Sequence, residues 1–261
     1  MKTHIVMFSG GAGSWLTARR VVERHGADNT LLVFADTLME DEDLYRFLDE
    51  AAANVGAEMV RLADGRTPWE VFFDERFLGN TRIDPCSKIL KRQLIRRWLE
   101  TNYPDPADAV IYLGIDWTEE HRYEKAKPYW APYTVEAPLC DPPLVDKAQV
   151  LDEMKAQGIE APRLYGMGFP HNNCGGFCIK AGQAHFAHLL RVMPERYAFH
   201  EAKEQELRQY LDKDVAILRD RRGGTTKPLT LRDLRLRVVA EEEIDTLEWG
   251  GCGCFSPEPG E

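Results

Sequence analysis

The chain has 261 residues, of which 44% are hydrophobic and 29% charged, the balance of a soluble globular protein able to bury a sizeable core. Its net charge of −10 argues against passive attachment to a nucleic-acid backbone and leaves only local basic sites open. No apolar run approaches the roughly 20 residues that span a bilayer, and the first residues lack the order of a signal peptide, so a cytoplasmic location with no membrane attachment is expected.

In chain order, Ile5–Phe8 reads as a buried strand and Trp15–Arg24 as a helix carrying Leu16, Ala18, Val21 and Val22. Thr30–Ala35 is a second apolar strand. Asp41–Asn54 places Leu44, Phe47, Leu48 and Ala51 at helical spacing. Ala57–Leu62 is a third strand. Ser87–Leu99 is a helix with Leu90, Leu94 and Trp98 on one stripe and Lys88, Arg92 and Arg96 on another. Ala109–Ile115 and Tyr133–Ala137 complete the strands. Non-alternating strands separated by helices predict an α/β fold, a parallel sheet with helices on both faces. After about residue 141 the pattern turns helical: Lys147–Gln157, Ile179–Val192 and Glu201–Leu211. The expected division is an α/β domain over 1–140 and a mainly helical, cysteine-containing elaboration with a C-terminal tail over 141–261. His185 and His188, one turn apart with no third ligand nearby, read as surface residues, and His200–Glu206 ("HEAKEQE") as a solvated helix.

The stretch "FSGGAGSW" ends the first strand in a glycine turn and opens a helix. In an open parallel sheet, ligands sit beyond the carboxyl ends of the strands. Glycines there let the backbone approach an oxyanion, helix-start amides point at it, and Ser9 and Ser14 add hydroxyls. A tight turn with no ligand explains the glycines equally well. The Walker GxxxxGK[ST] and dinucleotide GxGxxG patterns are absent.

"SGGAGS" after a first strand resembles the PP-loop of the adenine nucleotide α-hydrolase-like superfamily, a Rossmann-like (HUP-type) fold that includes ATP pyrophosphatases and PAPS reductases. The resemblance implies that Ser9, Gly10, Gly11, Gly13 and Ser14 hold a pyrophosphate- or sulfate-like group. Gly13 stands where that pattern has Asp, which weakens the inference of a loop-bound magnesium. "FADT" resembles the reductases' strand end, implying Asp36 and Thr37 near the nucleotide. "LGIDWTEEHR" resembles the glycine-to-Glu-Ser-Arg region, with Gly114, Glu120 and Arg122 matching, His121 in the serine place and Arg122 as an anion contact. Read without the resemblance, Glu119, Glu120 and Arg122 are a solvated first helical turn.

The six cysteines point to metal or redox chemistry in a reducing compartment. Cys86 precedes a basic helix, where the helix dipole and Lys88 favour a thiolate. Cys174 and Cys178 flank two glycines, and Cys252 and Cys254 lie in "GGCGC". Glycine-flanked thiols suit an iron–sulfur cluster, four thiolates also suit zinc, and Cys252–Cys254 also reads as a mobile redox tail. Cys140 reads as an inert core residue. The pattern resembles the cluster cysteines of assimilatory adenylyl-sulfate reductases, which carry Cys-Cys where this chain has Cys86-Ser87, and of sulfur-transfer relatives in DNA phosphorothioation. It implies a [4Fe–4S] cluster whose missing ligand is Cys252 or Cys254, with Lys88 and Lys91 beside it as catalytic candidates together with Arg122. Taken as a whole, the resemblance implies an ATP (or PAPS) enzyme of the PAPS reductase-like family found in phages and mobile elements. Such an enzyme adenylates an acceptor for sulfur transfer or reduces adenylylated sulfate. A non-catalytic nucleotide-sensing subunit is the alternative. The implied partners are the adenine nucleotide and a sulfur donor or thiol reductant, with a nucleic-acid or nucleotide acceptor and a homodimer left open.

Overall fold

The computed structural model describes residues 2–80, 82–251 and 255. Five strands form one wholly parallel sheet in the order β3-β2-β1-β4-β5: β1 (Thr3–Met7), β2 (Thr30–Asp36), β3 (Glu58–Ala63), β4 (Ala109–Tyr112) and β5 (Thr134–Glu136). Period-two side-chain alternation divides its two faces. Val6, Phe8, Leu32, Phe34 and Tyr112 pack on one side against α1 (Ala12–His25) and α2 (Glu42–Val55). Ile5, Met7, Val33 and Ile111 pack on the other against α5 (Leu94–Asn102) and α6 (Glu120–Trp130) through Ile95, Leu99, Ala126 and Trp130. The expected α/β architecture is therefore the one observed, with helices on both faces of the sheet.

A third apolar core joins α3 (Pro68–Asp74) to the second half of the chain. Trp69, Val71 and Phe72 pack with Phe177, Phe186 on α9 (Gln183–Val192), Leu207 on α10 (Pro194–Leu211) and Leu231 and Leu234 on α11 (Leu231–Val239). The short helices α7 (Lys147–Ala156) and α8 (Arg163–Gly166) precede it, and a small antiparallel pair, β6 (Leu218–Asp220) and β7 (Lys227–Leu229), lies between α10 and α11.

Three differences from the sequence reading have physical causes. The helix expected over Ser87–Leu99 begins as α4 (Pro85–Ser87), passes through a π-helical segment at Lys88–Gln93 and continues as α5. A wide turn inserts an extra residue and breaks the 3.6-residue stripe. Arg92 is consequently fully buried beside Asp84 instead of lying on a basic surface with Lys88 and Arg96. The strand expected over Ala109–Ile115 runs only to Tyr112: Leu113 N still donates to Glu136 O of β5 at 2.9 Å, and Gly114 and Ile115 then turn away to wall a cleft. The histidines are not surface groups: His185 is buried with Nε2 donating to Gly176 O at 2.7 Å, and burial holds its pKa down at about 4. His188, half-buried, donates to Met167 O at 2.7 Å.

The "HEAKEQE" helix likewise buries His200 and Glu204. His200 accepts from Trp69 Nε1 and stacks on Phe177 at 3.7 Å between ring centroids. Glu204 accepts from the amides of Ile217 at 2.9 Å and Leu231 at 2.6 Å, satisfying two buried donors that β6 and α11 leave open. Burial pushes its carboxyl up to about 7 against the pull of those two amides. The folded carboxyl thus binds its proton more tightly than the unfolded one. Stability should fall as pH rises from the ordinary Glu range to about 7 and level off above it, a slope that thermal unfolding should show and Glu204→Gln should flatten. Glu204→Ala, which strands both amides, should cost about 2–4 kcal/mol in urea unfolding.

Candidate functional site

The strand order reverses between β1 and β4, and a cleft of about 190 Å³ opens where their carboxyl ends part. One wall is Ser9, Gly11, Gly13 and Ser14; the facing wall is Leu113–Asp116. Two backbones meet here. A Cβ on Gly114 would stand 2.9 Å from Ser14 N, and one on Gly13 would stand 3.2 Å from Gly114 O. Gly11 caps α1, and Ser14 Oγ donates to Gly11 O at 2.8 Å, closing the loop on itself. The fourteen-residue α1 thereby sets its first turn, Ala12, Gly13 and Ser14, at the cleft wall, the arrangement that holds anions elsewhere.

Side chains from other elements line the remaining walls. Tyr165 from α8 reaches the start of α1, its hydroxyl accepting from Ala12 N at 3.2 Å. Lys147, the first residue of α7, places Nζ 3.9 Å from the centre of the Tyr165 ring and donates to Pro170 O at 2.7 Å. Burial pulls the Lys147 ammonium below its ordinary pKa. Arg122 faces the cleft while pairing with Glu119 at 2.6 Å. His171 also lines it, held below the usual imidazole range first by burial and then by the charge of Lys147.

A second, smaller cavity lies alongside, lined by Cys86, Cys174, Cys178, Thr37, Asp84 and Lys91 among others. The π-helical turn delivers Lys91 into this interior, 3.8 Å from Glu40, with both side chains almost wholly buried. Glu40 also accepts from the Thr37 hydroxyl at 2.9 Å and from the Cys174 amide. Cys174, Gly175 and Gly176 all have positive φ, a tight coil that fits because any Cβ on Gly175 would run into the Arg196 guanidinium. Asn172, buried, donates to Gly10 O at 2.9 Å, so one loop over 171–178 serves both cavities. Gly250 bridges to Ala181, and Gly250 and Gly251 line a pocket with Cys178 and His185. Gly251 therefore lies at the same pocket as Cys178, whereas Phe255 lines the β1/β4 cleft and its carbonyl accepts from Trp130 Nε1. Among the described residues, no group of three His, Cys, Asp or Glu side chains is arranged to hold a metal ion.

The residues singled out in the sequence thus separate into two neighbouring places. Ser9, Gly11, Gly13, Ser14, Gly114 and Arg122 line the cleft; Cys86, Cys174, Cys178, Lys91 and Thr37 line the cysteine cavity. Asp36 lines neither. It is fully buried, paired with Arg61 and accepting from Tyr45 Oη at 3.1 Å, so its carboxylate is committed to the protein. Gly10 contributes its carbonyl to Asn172, and Lys88 is half-buried outside both cavities. Cys252 and Cys254 lie outside the described residues. Cys140, whose thiol is pushed up to about 11 chiefly by burial, donates to Ile115 O at 3.5 Å. Lys147, Tyr165 and His171 are additions that the sequence reading misses, since a lone lysine at a helix start and a tyrosine in a short turn carry no periodic or motif signal.

No protein-family profile matches the sequence, and no curated protein matches it. Among solved structures, one similar chain is a phosphoadenylyl-sulfate (PAPS) reductase from Candida auris in a phosphate complex. It has a TM-score of 0.44 and 16% identity, over 63% of this chain and 78% of that one. Another is an NMN synthetase from Francisella tularensis, with a TM-score of 0.41 and 14% identity, over 61% of this chain and 63% of that one. No helix among the described residues is long and apolar enough to cross a membrane.

The cleft's geometry rests on the Gly114 contact. Gly114→Ala should force β4's end away from α1 and lower the thermal midpoint by several degrees, whereas Gly158→Ala, whose Cβ meets nothing within 4 Å, should cost only the strain of its positive φ.

Proposed function

We propose that this chain is a PP-loop enzyme that binds ATP at the Ser9–Ser14 loop, cleaves it between the α and β phosphates to adenylate an acceptor oxygen, and so prepares that acceptor for sulfur transfer. The observation that carries the reading is the convergence on one switch-point cleft of the α1 amide terminus, Arg122 and Lys147. The acceptor oxygen attacks the α phosphorus, the bond from that phosphorus to the bridging oxygen breaks, and pyrophosphate leaves with the electron pair. The acceptor's proton passes to water. Fixed donors at the departing charge lower the barrier. The first turn of α1 at Gly13 and Ser14 and the two cations supply such donors, and Lys147 has no carboxylate within ion-pair distance among the described residues to neutralise it. A sulfur nucleophile then displaces AMP from the activated acceptor. Gly13 brings no carboxylate to the loop, so a magnesium ion accompanying ATP would rely on Asp116 or Glu119 at the cleft wall.

In this reading Cys86, Cys174 and Cys178 hold an iron–sulfur cluster, with Cys252 or Cys254 as the fourth ligand. The three thiols sharing one cavity support it, as does the approach of the chain to Cys178 at Gly251. Such a cluster, when bound, supplies a site that binds or relays sulfur. The chain's own contribution is Lys91, which the buried Glu40 holds in place so that an ammonium stands beside the thiols and complements negatively charged sulfur ligands.

Three measurements test the proposal. Gly11→Val should weaken ATP binding in titration calorimetry by roughly tenfold or more, because a branched Cβ fills the approach to the loop amides. The backbone admits the change, since Gly11 has φ −106° and ψ 161°, and the Tyr165 hydroxyl, 3.2 Å from a Cβ at that position, must give way by a few tenths of an ångström; a thermal melt of the variant should show that the fold survives. Protein purified anaerobically should be brown with about four irons per chain, and Cys86→Ala, Cys174→Ala and Cys178→Ala should each bleach it while Cys140→Ala does not; colourless protein with stoichiometric zinc overturns the cluster. ATP with a sulfide donor and a hydroxyl acceptor should yield AMP and pyrophosphate. Release of sulfite from PAPS with a thiol reductant would instead establish the reductase chemistry.

A further inference from the structure

A third cavity, of about 230 Å³, lies apart from the cleft and the cysteines, where the chain after α3 meets the end of α10 and the β6–β7 pair. Arg76, Lys213 and Arg219 line it, with Asp214 as its one carboxylate among the described residues. Asp214 already pairs with Arg208 at 2.8 Å. Arg76 donates to Tyr210 Oη at 3.0 Å and lies over that ring, with no carboxylate partner among the described residues. Lys213 has no ion-pair partner among the described residues.

Arg219 is the informative group. Its Nε is buried with no hydrogen-bond partner, and its side chain makes no ion pair among the described residues. Arg235 is held by both oxygens of Glu201, and Arg196, whose Nε is buried in the same way, donates through Nη to Met39 O. A guanidinium drawn out of water without an acceptor leaves an unmet cost, which a bidentate oxyanion on its Nε–Nη edge removes. In a chain of net charge −10, three cations with no carboxylate partner among the described residues in one hollow are a local reversal of sign that concentrates anions. Leu78, Leu211 and Pro228 supply apolar wall, and Asn80 adds a neutral polar group. The volume lies below the roughly 300 Å³ at which drug-sized ligand pockets begin.

We infer that this hollow is a second binding site, for a small organic anion that presents one phosphate or carboxylate to Arg219 and Lys213 and lays a short apolar body against Leu78 and Pro228. Its ligand is independent of the nucleotide in the β1/β4 cleft.

The test is titration of phenyl phosphate into the full chain by calorimetry, with benzyl alcohol as the neutral counterpart and benzoate as the carboxylate. Phenyl phosphate should bind saturably and benzyl alcohol should not. Lys213→Gln, a change at an exposed position that does not threaten the fold, should weaken binding tenfold or more, as should Arg219→Gln. Arg219→Lys should recover part of the loss, and Gly11→Val should bind phenyl phosphate as the parent does. Benzoate binding as tightly as phenyl phosphate assigns the carboxylate; markedly weaker binding assigns the phosphate. The inference is overturned by absence of saturable binding, by equal binding in Lys213→Gln and Arg219→Gln, or by loss of binding in Gly11→Val.

Discussion

The candidate cleft depends on one steric constraint, the close approach of two backbones where Gly114 meets Gly13 and Ser14 of the glycine loop. Strand β4 must run close enough to the start of α1 that a methyl group on Gly114 would stand 2.9 Å from Ser14 N. Beside that approach Leu113–Asp116 form the second wall of the cleft. The approach also sets where the first turn of α1 stands relative to Arg122. A parallel sheet supplies the crevice because its strand order reverses between β1 and β4. The glycine contact sets its width.

A second dependence is the loop over 171–178, which couples the two cavities. Asn172 holds the carbonyl of Gly10, and the Cys174 amide holds Glu40, which in turn faces Lys91. Each of these groups is satisfied within the protein, which is the condition for polar groups in an interior of low dielectric. Displacing the cysteine loop would therefore disturb the phosphate loop through Asn172 and the buried ion pair through Glu40. The buried pair is weak evidence for stability, since desolvation offsets its attraction. Its position at the cysteine cavity, which Lys91 lines, suits a role in fixing charge.

The second half of the molecule is held differently. Glu204 satisfies the amides of Ile217 and Leu231, His200 accepts from Trp69, and Tyr197 donates to Leu231 O at 2.6 Å. These buried contacts tie α10 to the β6–β7 pair, to α11 and to α3. They explain how a helix whose sequence is rich in charge, "HEAKEQELRQ", can lie partly inside a core.

What is legible in the sequence is what local patterning controls. The continuous apolar runs of β1, β2 and β4 announce a sheet covered on both faces, and the glycine turn after β1 announces where a cleft opens, because strand burial and turn geometry are properties of neighbouring residues. The grouping of Cys86 with Cys174 and Cys178 is also implied, by resemblance to a motif. Tertiary structure alone decides the rest. Asp36 reads as a nucleotide contact and belongs to Arg61 and Tyr45, because its acceptors are claimed by side chains 25 and 9 residues away. His185, His200 and Arg92 read as solvated polar residues and are buried, because a π-helical turn and long-range donors and acceptors supply what solvent would have given them. Lys147 and Tyr165 reach the cleft only because α7 and α8 fold back onto α1. A pattern confined to neighbouring residues carries no information about which distant side chain will share a cavity, since that is set by how the elements pack.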